Sequence, residues 1–244
     1  MSKKLRSSVP SNLNDAEIII TNASSDERIL AAVGGVGYDS AKLAEGRVLL
    51  VDATAKKDAR VARSGEQLAA TAAANAARVL AEDAYQSYST LARGEFKNSK
   101  QLLSVLGLDR PMPRSEAALI AAAKTLFENG MSNAEIKAAM LKYRYDDPKL
   151  AAESAKVLAF EKANTDQMAA VGAAQHATEE QDRAMTRLTD WVAQFRKAAK
   201  IALKNNKQLL EKLGIRARST KTKAQRGAAA KAAVTRAAKK STSK

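Results

Sequence analysis

The sequence contains one thirteen-residue pattern twice, at an offset of 107 residues. Residues 96–108 read FKNSKQLLSVLGL, and residues 203–215 read LKNNKQLLEKLGI. When the same offset is carried backwards without a gap, 20 of the 71 pairs formed by residues 38–108 and 145–215 are identical, a number too large for chance. We therefore predict two tandem helical repeats, residues 14–108 and 109–215, that together form one domain.

The composition favours helices and excludes several kinds of site. Alanine makes up about a fifth of the 244 residues, aromatic residues make up 4%, and there are only four prolines. This balance is typical of long helices rather than sheets, so we expect an all-α protein. The sequence contains no cysteine, which excludes a disulfide framework and a thiolate metal site.

Each repeat is predicted to consist of two short helices followed by one long helix. The long helices extend from about residue 41 to 106 and from about 148 to 213, because neither range has a proline beyond its first position or a cluster of turn residues. Ser40 and Asp147 stand at the two N-cap positions, and Pro148 suits the first position of a helix because its missing N–H group would be unpaired there.

The interior glycines of these ranges leave two alternatives. An isolated glycine costs a helix only about 1 kcal/mol, which favours one continuous helix per repeat; the other alternative is a hairpin folded at Gly65 and at Gly172. A continuous helix of about 65 residues is roughly 100 Å long, and two short helices cannot carry the chain back along it. We therefore predict an elongated antiparallel helical bundle, with the short-helix pairs at opposite ends about a pseudo-two-fold axis.

The repeated thirteen-residue pattern is interpreted as a helix stop. Gly107 and Gly214 each follow the last helical leucine and precede an aliphatic residue, Leu108 or Ile215. This order suits a left-handed C-terminal cap whose following apolar side chain packs back on the last turn.

The other helix boundaries are predicted from caps and breakers. They are a first helix from about Asn14, a second capped by Ser25, a break at Gly34–Gly37, a helix from Ser115 to Asn129–Gly130, and a helix with a capping box at Ser132–Glu135 that ends near Arg144. The break at Gly34–Gly37 is not a phosphate-binding loop, because such a loop needs a preceding strand and a lysine.

Apolar residues in the second long helix follow a heptad seam. The steps of three and four residues connect Met185, Leu188, Val192, Phe195, Ala199, Ala202, Asn206, Leu209 and Leu213. Such a seam packs against another helix, and Asn206 is either a polar residue that fixes its register or a residue at its edge. The corresponding stripe of the first repeat is Ala81, Tyr85, Tyr88, Ala92, Leu102 and Leu106, interrupted by Glu95 and Ser99.

The positive charge is concentrated at the two ends of the sequence. The net charge is +15, but residues 14–215 hold 28 basic and 26 acidic side chains. Residues 1–13 contain Lys3, Lys4 and Arg6 and no acid, and residues 216–244 contain ten Lys and Arg residues and no acid. Residues 221–240 of the tail contain Val234 as their only large aliphatic residue, too little apolar surface to bury. We therefore predict a disordered Lys/Arg/Ala-rich tail over residues 216–244, and we also predict a disordered basic N-terminus over residues 1–13.

The tail is the strongest indication of function. A polycation binds nucleic acid or another polyanion by releasing counterions, and without an element that reads bases this binding has no sequence specificity. The predicted nucleic-acid-binding residues are Arg216, Arg218, Lys221, Lys223, Arg226, Lys231, Arg236, Lys239 and Lys240. The first hypothesis is a scaffold or interaction protein, with a homo-oligomer or a helical protein as further partner; the alternative is a purely structural, self-associating helical bundle.

Other kinds of chemistry find little support in the sequence. His176 is the only histidine, which excludes a multi-histidine metal site. Asp83 and Asp190 occupy equivalent positions and could form a carboxylate pair, although equivalent acids on duplicated helices are more often exposed or paired with a basic side chain. We therefore expect no enzymatic activity and no cofactor or metal.

The aromatic side chains leave two readings open. Tyr38, Tyr145, Trp191 and Phe195 either stack on a ligand or, on helical spacing among alanines and leucines, fill the core. No run of apolar residues approaches the roughly 18 that a membrane span needs, and no segment near the start has the apolar core of a signal peptide. We expect a cytoplasmic protein that does not insert into membranes.

Overall fold

The computed structural model describes residues 8–216, and this part of the chain is an all-helical bundle without a strand. Its helices are α1 (Val9–Ser25), α2 (Glu27–Gly34), α3 (Ser40–Glu95), α4 (Lys100–Val105), α5 (Glu116–Ser132), α6 (Ala134–Met140), α7 (Asp147–Ala202) and α8 (Lys207–Lys212). A 3-10 turn at Leu141–Tyr143 lies between α6 and α7. The all-α prediction is confirmed.

The chain forms two compact units. Unit 1 comprises Met1–Thr54 and Ala184–Lys244, and unit 2 is the continuous segment Ala55–Arg183. Because the unit boundaries fall inside α3 and α7, each of these helices contributes residues to both units.

The core of unit 1 lies between the short helices and segments of both long helices. The start of α3 and the end of α7 run antiparallel there, because the Arg187 guanidinium lies 2.7 Å from a carboxylate oxygen of Asp52 while Gly46 faces Trp191. The fully buried large side chains include Ile19, Ile20, Ile29, Val33, Leu188, Phe195 and Leu213. This core holds α1, α2 and α8 against the two long helices.

The core of unit 2 also lies between short helices and segments of both long helices, but it uses the opposite ends of the long helices. It contains the end of α3, the start of α7, and α4, α5 and α6. Its fully buried large side chains are Tyr88, Leu106, Leu126, Phe127, Ile136, Met140, Leu150 and Phe160. Tyr88 packs against Phe127 and against the edge of Tyr145, with ring centroids 5.6 and 4.9 Å apart.

The long helices are continuous through Gly65 and Gly172, which excludes the hairpin alternative. They are shorter than predicted, however, because each ends about eleven residues early, at Glu95 and at Ala202. In the first, the Ser99 N–H donates to the carbonyl of Phe96 in a turn, and the Ser99 hydroxyl then accepts from the N–H of Leu102 to cap α4. The residues that interrupted the apolar stripe therefore mark a helix break.

The heptad seam of α7 ends at the same kind of break. Met185, Leu188, Val192, Phe195 and Ala199 are buried as predicted, and Ala202 is half-buried. Asn206 is exposed and precedes α8 at its N-cap position. Of the two alternatives for Asn206, a polar residue that fixes the register of the seam is wrong, because the turn after Ala202 changes the helical phase before Leu209 and Leu213 become buried.

Both long helices are capped one residue earlier than predicted. The carboxylate of Asp39 accepts from the N–H of Lys42, and that of Asp146 accepts from the N–H of Lys149, each at 2.9 Å. Ser40 and Asp147 are the first helical residues rather than the caps. At α3 the carboxylate of Asp39 also complements the helix dipole, which the hydroxyl of Ser40 does not; at α7 both alternatives are aspartates.

Four boundaries of the short helices also differ from the predictions. α1 begins at Val9 and not near Asn14, because Ser8 accepts from the N–H of Ser11 and Pro10 occupies the first turn. Asp26 caps α2, whereas the Ser25 hydroxyl donates back to the carbonyl of Thr21. α5 continues through Gly130 to Ser132, and Asn133 rather than Ser132 caps α6.

The predicted left-handed caps are confirmed at Gly107 and Gly214, whose φ angles are 69° and 68°. The N–H of Leu108 donates to the carbonyl of Leu103, and the N–H of Ile215 donates to that of Leu210. The N–H of Gly107 donates to the carbonyl of Ser104, and the N–H of Gly214 donates to that of Glu211. These paired bonds form a Schellman motif at each helix end, and Leu108 and Ile215 are both buried. The thirteen-residue pattern therefore encodes a helix break followed by a capped helix end.

The same motif occurs after α2, with a glycine at the left-handed position, and after the 3-10 turn, with an arginine there. Gly37 has a φ of 88°, and Arg144 has a φ of 61°. Because a side chain at such an angle is strained by about 1 kcal/mol, we expect Arg144→Gly to raise the free energy of unfolding by up to about 1 kcal/mol. Chemical denaturation measures it, with the equally exposed Arg114→Gly as the control; equal effects of the two changes would contradict the assignment.

Candidate functional site

The first predicted nucleic-acid-binding residue lies at the end of the described chain. Arg216 is exposed and follows the buried Ile215 directly. The other eight predicted residues, Arg218, Lys221, Lys223, Arg226, Lys231, Arg236, Lys239 and Lys240, lie outside the described residues, as do Lys3, Lys4 and Arg6. Both basic segments adjoin unit 1, because Ser8 and Arg216 belong to it.

Polar contacts fix the segment from which the tail continues. The side-chain amide of Asn22 donates to the carbonyl of Lys212 at 2.7 Å, and the Lys212 ammonium lies 2.9 Å from a carboxylate oxygen of Asp26. Leu213 and Ile215 are buried in the core of unit 1. The last helix before the tail is therefore attached to α1 and to the start of α2.

Asp26 is the most strongly perturbed acid of this region. Its carboxylate is only 5% exposed and accepts hydrogen bonds from the guanidinium of Arg28, at 3.1 Å, and from Lys212. These two bonds, the one from Arg28 first, hold the pKa of Asp26 well below its ordinary value although burial opposes them. The contribution of this cluster to stability is present above the ordinary carboxylate pKa and is lost as pH falls through the lowered one, so its role is structural.

A second buried acid, Glu153, has the same structural character in unit 2. Burial alone would raise the pKa of Glu153, but the ammonium groups of Lys149 and Lys156, 2.5 and 2.6 Å away, lower it instead. All three residues lie on α7 at spacings of four and three residues, a pattern visible in the sequence that was not singled out there. A carboxylate held ionised between two lysines is a poor general acid or base near neutral pH.

The residues considered for catalysis are exposed. Asp83 and Asp190 are both exposed and belong to different units. The His176 side chain is 69% exposed, and its Nδ1 lies 4.0 Å from a carboxylate oxygen of Glu180 on the next turn of α7. Among residues 8–216, no three acidic or histidine side chains lie close enough together to hold a metal ion.

The aromatic side chains fill the cores, as one of the two readings predicted. Trp191 stacks on Phe195 with ring centroids 5.5 Å apart and an interplanar angle of 9°, and Tyr38 meets both rings edge-on. Tyr145 is buried in unit 2 beside Tyr88. Trp191, Phe195 and Tyr145 are buried, and Tyr38 is half-buried and packed against the core of unit 1.

Two grooves in unit 2 are the concave surfaces of the described chain that stand out. One, of about 490 Å³, lies between α5 and α7 and contains the ion pair of Lys124 with Glu161. The other, of about 550 Å³, lies under the proline-containing segment 109–113 beside Tyr85. Neither contains a buried unpaired charge or a cluster of catalytic side chains, so neither has a chemical role that the geometry defines.

The described helices include none with the length and apolar character that crossing a lipid bilayer requires. Comparison with protein-family models, with curated proteins and with solved structures found no match.

Proposed function

We propose that this protein is a non-enzymatic helical scaffold whose basic tail binds nucleic acid or another polyanion without sequence specificity. The observation that carries the proposal is the distribution of charge: ten Lys and Arg residues and no acid in residues 216–244, next to a nearly neutral body. Neutralising phosphates with these side chains releases counterions, which drives binding and makes it steeply dependent on salt.

The structure supports this proposal through the attachment of the tail. The last residues before it, Leu213 and Ile215, are buried, and Lys212 is bound to α1 and Asp26. A polycation that continues from a fixed helix keeps any bound polyanion next to the folded units.

We further propose that the scaffold is an elongated bundle of two tandem repeats. The bounds of α1, α3 and α4, displaced by 107 residues, coincide with those of α5, α7 and α8. The capping aspartates and the left-handed glycines differ by the same offset, and so do buried pairs such as Leu106 and Leu213. Small-angle scattering measures the shape, and a compact envelope would contradict the elongated arrangement.

Removal of the tail tests the binding proposal. We expect the intact chain to retard duplex DNA of mixed sequence at low salt. The chain that ends at Ile215 is expected to need at least a 100-fold higher concentration for half-maximal retardation, because ten of the thirteen cations at the two ends are lost. The measurement is an electrophoretic mobility shift at 50 and 200 mM salt, with circular dichroism to confirm equal helix content per folded residue. Equal retardation by the two chains would remove the tail from the function.

The alternative, a purely structural and self-associating bundle, is favoured by apolar side chains that unit 2 leaves exposed. Val61 and Leu68 on α3 and Met168 on α7 are 63, 73 and 71% exposed. Analytical ultracentrifugation of the chain that ends at Ile215 distinguishes the two functions: oligomers without DNA retardation by the intact chain favour the alternative.

A further inference from the structure

We propose that the folded part of unit 1 contains a second element of the polyanion site, a basic face formed by Lys197, Lys200 and Lys204, along which a nucleic-acid duplex lies by its phosphate backbone. The inference rests on the proposed function, which it extends from the tail to a structured surface.

The three lysines share one side of the end of α7. Lys197 and Lys200 lie on the helix and Lys204 in the turn that follows, at spacings of three and four residues, and all three are exposed. Such spacings place side chains next to each other on a helix surface. The residues that face the core here are Val192, Phe195, Ala199 and Leu203, which occupy the other side.

Two acids of unit 1 are paired with cations outside the basic face. Arg196 lies 2.9 Å from a carboxylate oxygen of Asp15, and Lys212 lies 2.9 Å from one of Asp26. Residues 191–216 contain seven Lys and Arg residues and a single acid, Glu211. Within residues 8–216, the three lysines of the basic face have no ion-pair partner. Their charge is therefore uncompensated and adds to that of the tail.

The end of α3 provides a comparison for the basic face. Cations near a helix C-terminus favour the helix dipole, but α3 ends in the same way with Thr90, Arg93 and Lys97 at the equivalent positions. There, Arg93 donates to the carbonyl of Arg110 at 3.0 Å. The end of α3 thus keeps two of the three cations, and the basic face differs from it by Lys197 in place of Thr90 and by Lys200, which has no contact like that of Arg93 within residues 8–216.

The spacing of the charges fits a phosphate backbone. At 1.5 Å per residue, successive lysines of the face are roughly 5 to 6 Å apart along the helix, a separation that long, flexible side chains adjust to neighbouring phosphates. A lipid surface fits less well, because an interfacial helix needs several bulky apolar residues, and Ile201 is the one large apolar side chain exposed in residues 191–216.

The test uses the full chain with its tail and compares two triple variants. Lys197→Gln, Lys200→Gln and Lys204→Gln together remove the basic face; the matched control, Lys97→Gln, Lys100→Gln and Arg114→Gln, removes three exposed cations of unit 2 for which the described residues offer no ion pair. Glutamine is a good helix former, and circular dichroism verifies that both variants keep the helix content of the parent.

Binding of a labelled 20-base-pair duplex of mixed sequence is titrated between 50 and 200 mM salt. For the basic-face variant, we expect the slope of log affinity against log salt to fall by about 2 to 3 and the affinity at 100 mM to fall by about 100-fold, and for the control less than about threefold. Equal losses in both variants, or no loss in the first, would overturn the inference while leaving the tail's role intact. If the parent chain does not bind the duplex, the tail proposal and the basic-face proposal are both wrong. If the parent binds vesicles with phosphatidylserine more tightly than the duplex, and only the basic-face variant loses this binding, the partner of the face is a membrane instead of a duplex.

Discussion

Replacing Gly46 by alanine is expected to lower the free energy of unfolding by about 2 to 3 kcal/mol. A Cβ atom at this position would lie 2.5 Å from two carbons of the Trp191 indole and 2.9 Å from a third. The indole cannot move aside easily, because it is buried, stacked on Phe195 and in edge contact with Tyr38. Overpacking of this kind outweighs the roughly 1 kcal/mol that alanine gains over glycine in a helix.

Gly65 provides the matched control on the same helix. A Cβ there meets no atom within 4 Å, so Gly65→Ala is expected to raise the free energy of unfolding by about 1 kcal/mol. Urea denaturation followed by circular dichroism gives both values. If the two alanine variants shift stability in the same direction, the contact between Gly46 and the indole is not as close as described.

Replacing Gly130 by alanine is expected to destabilise unit 2 by about 1 to 3 kcal/mol, and a second substitution, Tyr88→Phe, is expected to reverse this loss. A Cβ on Gly130 would lie 2.7 Å from the Tyr88 hydroxyl oxygen. That hydroxyl is buried without a hydrogen-bond partner among the described residues, and burial, followed by the neighbouring Tyr145, raises the pKa of Tyr88 to about 12. Its removal therefore relieves both the clash and the cost of an unsatisfied polar group.

The positions of unit 1 that correspond to Gly130 and Tyr88 at the offset of 107 residues already hold alanine and phenylalanine. They are Ala23 and Phe195, and both residues are fully buried. We expect Tyr88→Phe alone to stabilise by about 1 kcal/mol and the double variant to be at least as stable as the parent. A thermal or chemical denaturation cycle of the four proteins measures the coupling, and additive effects of the two changes would contradict it.

The sequence predicted the helix content and the left-handed glycine caps of the repeated pattern, because these depend on local composition and on residue order. It offered the core role of the aromatic residues as one of two readings, on the basis of their helical spacing. It did not predict the breaks after Glu95 and Ala202. Gly94 stands one residue before the first break, but isolated glycines also occur inside α3, at Gly46 and Gly65, and no proline or glycine stands at the second break. Phe96 and Leu203 are buried directly after the two breaks, and Ser99 then caps α4.

The candidate site shows a similar division. The tail was visible as a run of cations, whereas the basic face was hidden in a body whose charges sum to nearly zero. The structure distinguishes its lysines from the neighbouring cations Arg196 and Lys212, which form ion pairs with Asp15 and Asp26. The buried acids Asp26 and Glu153 were likewise missed, because burial of a charged side chain depends on contacts that a single sequence does not contain.

The division of unit 1 between distant parts of the chain has a consequence for biosynthesis. Met1–Thr54 leaves the ribosome about 130 residues before Ala184, a delay of roughly 6 to 26 s at 5 to 20 residues per second. Unit 2 is complete within that interval, whereas Ile19, Ile29 and Val33 lack the α7 side chains that cover them. During translation, the nascent chain therefore exposes an apolar helix pair that attracts chaperones or, in a crowded polysome, neighbouring copies.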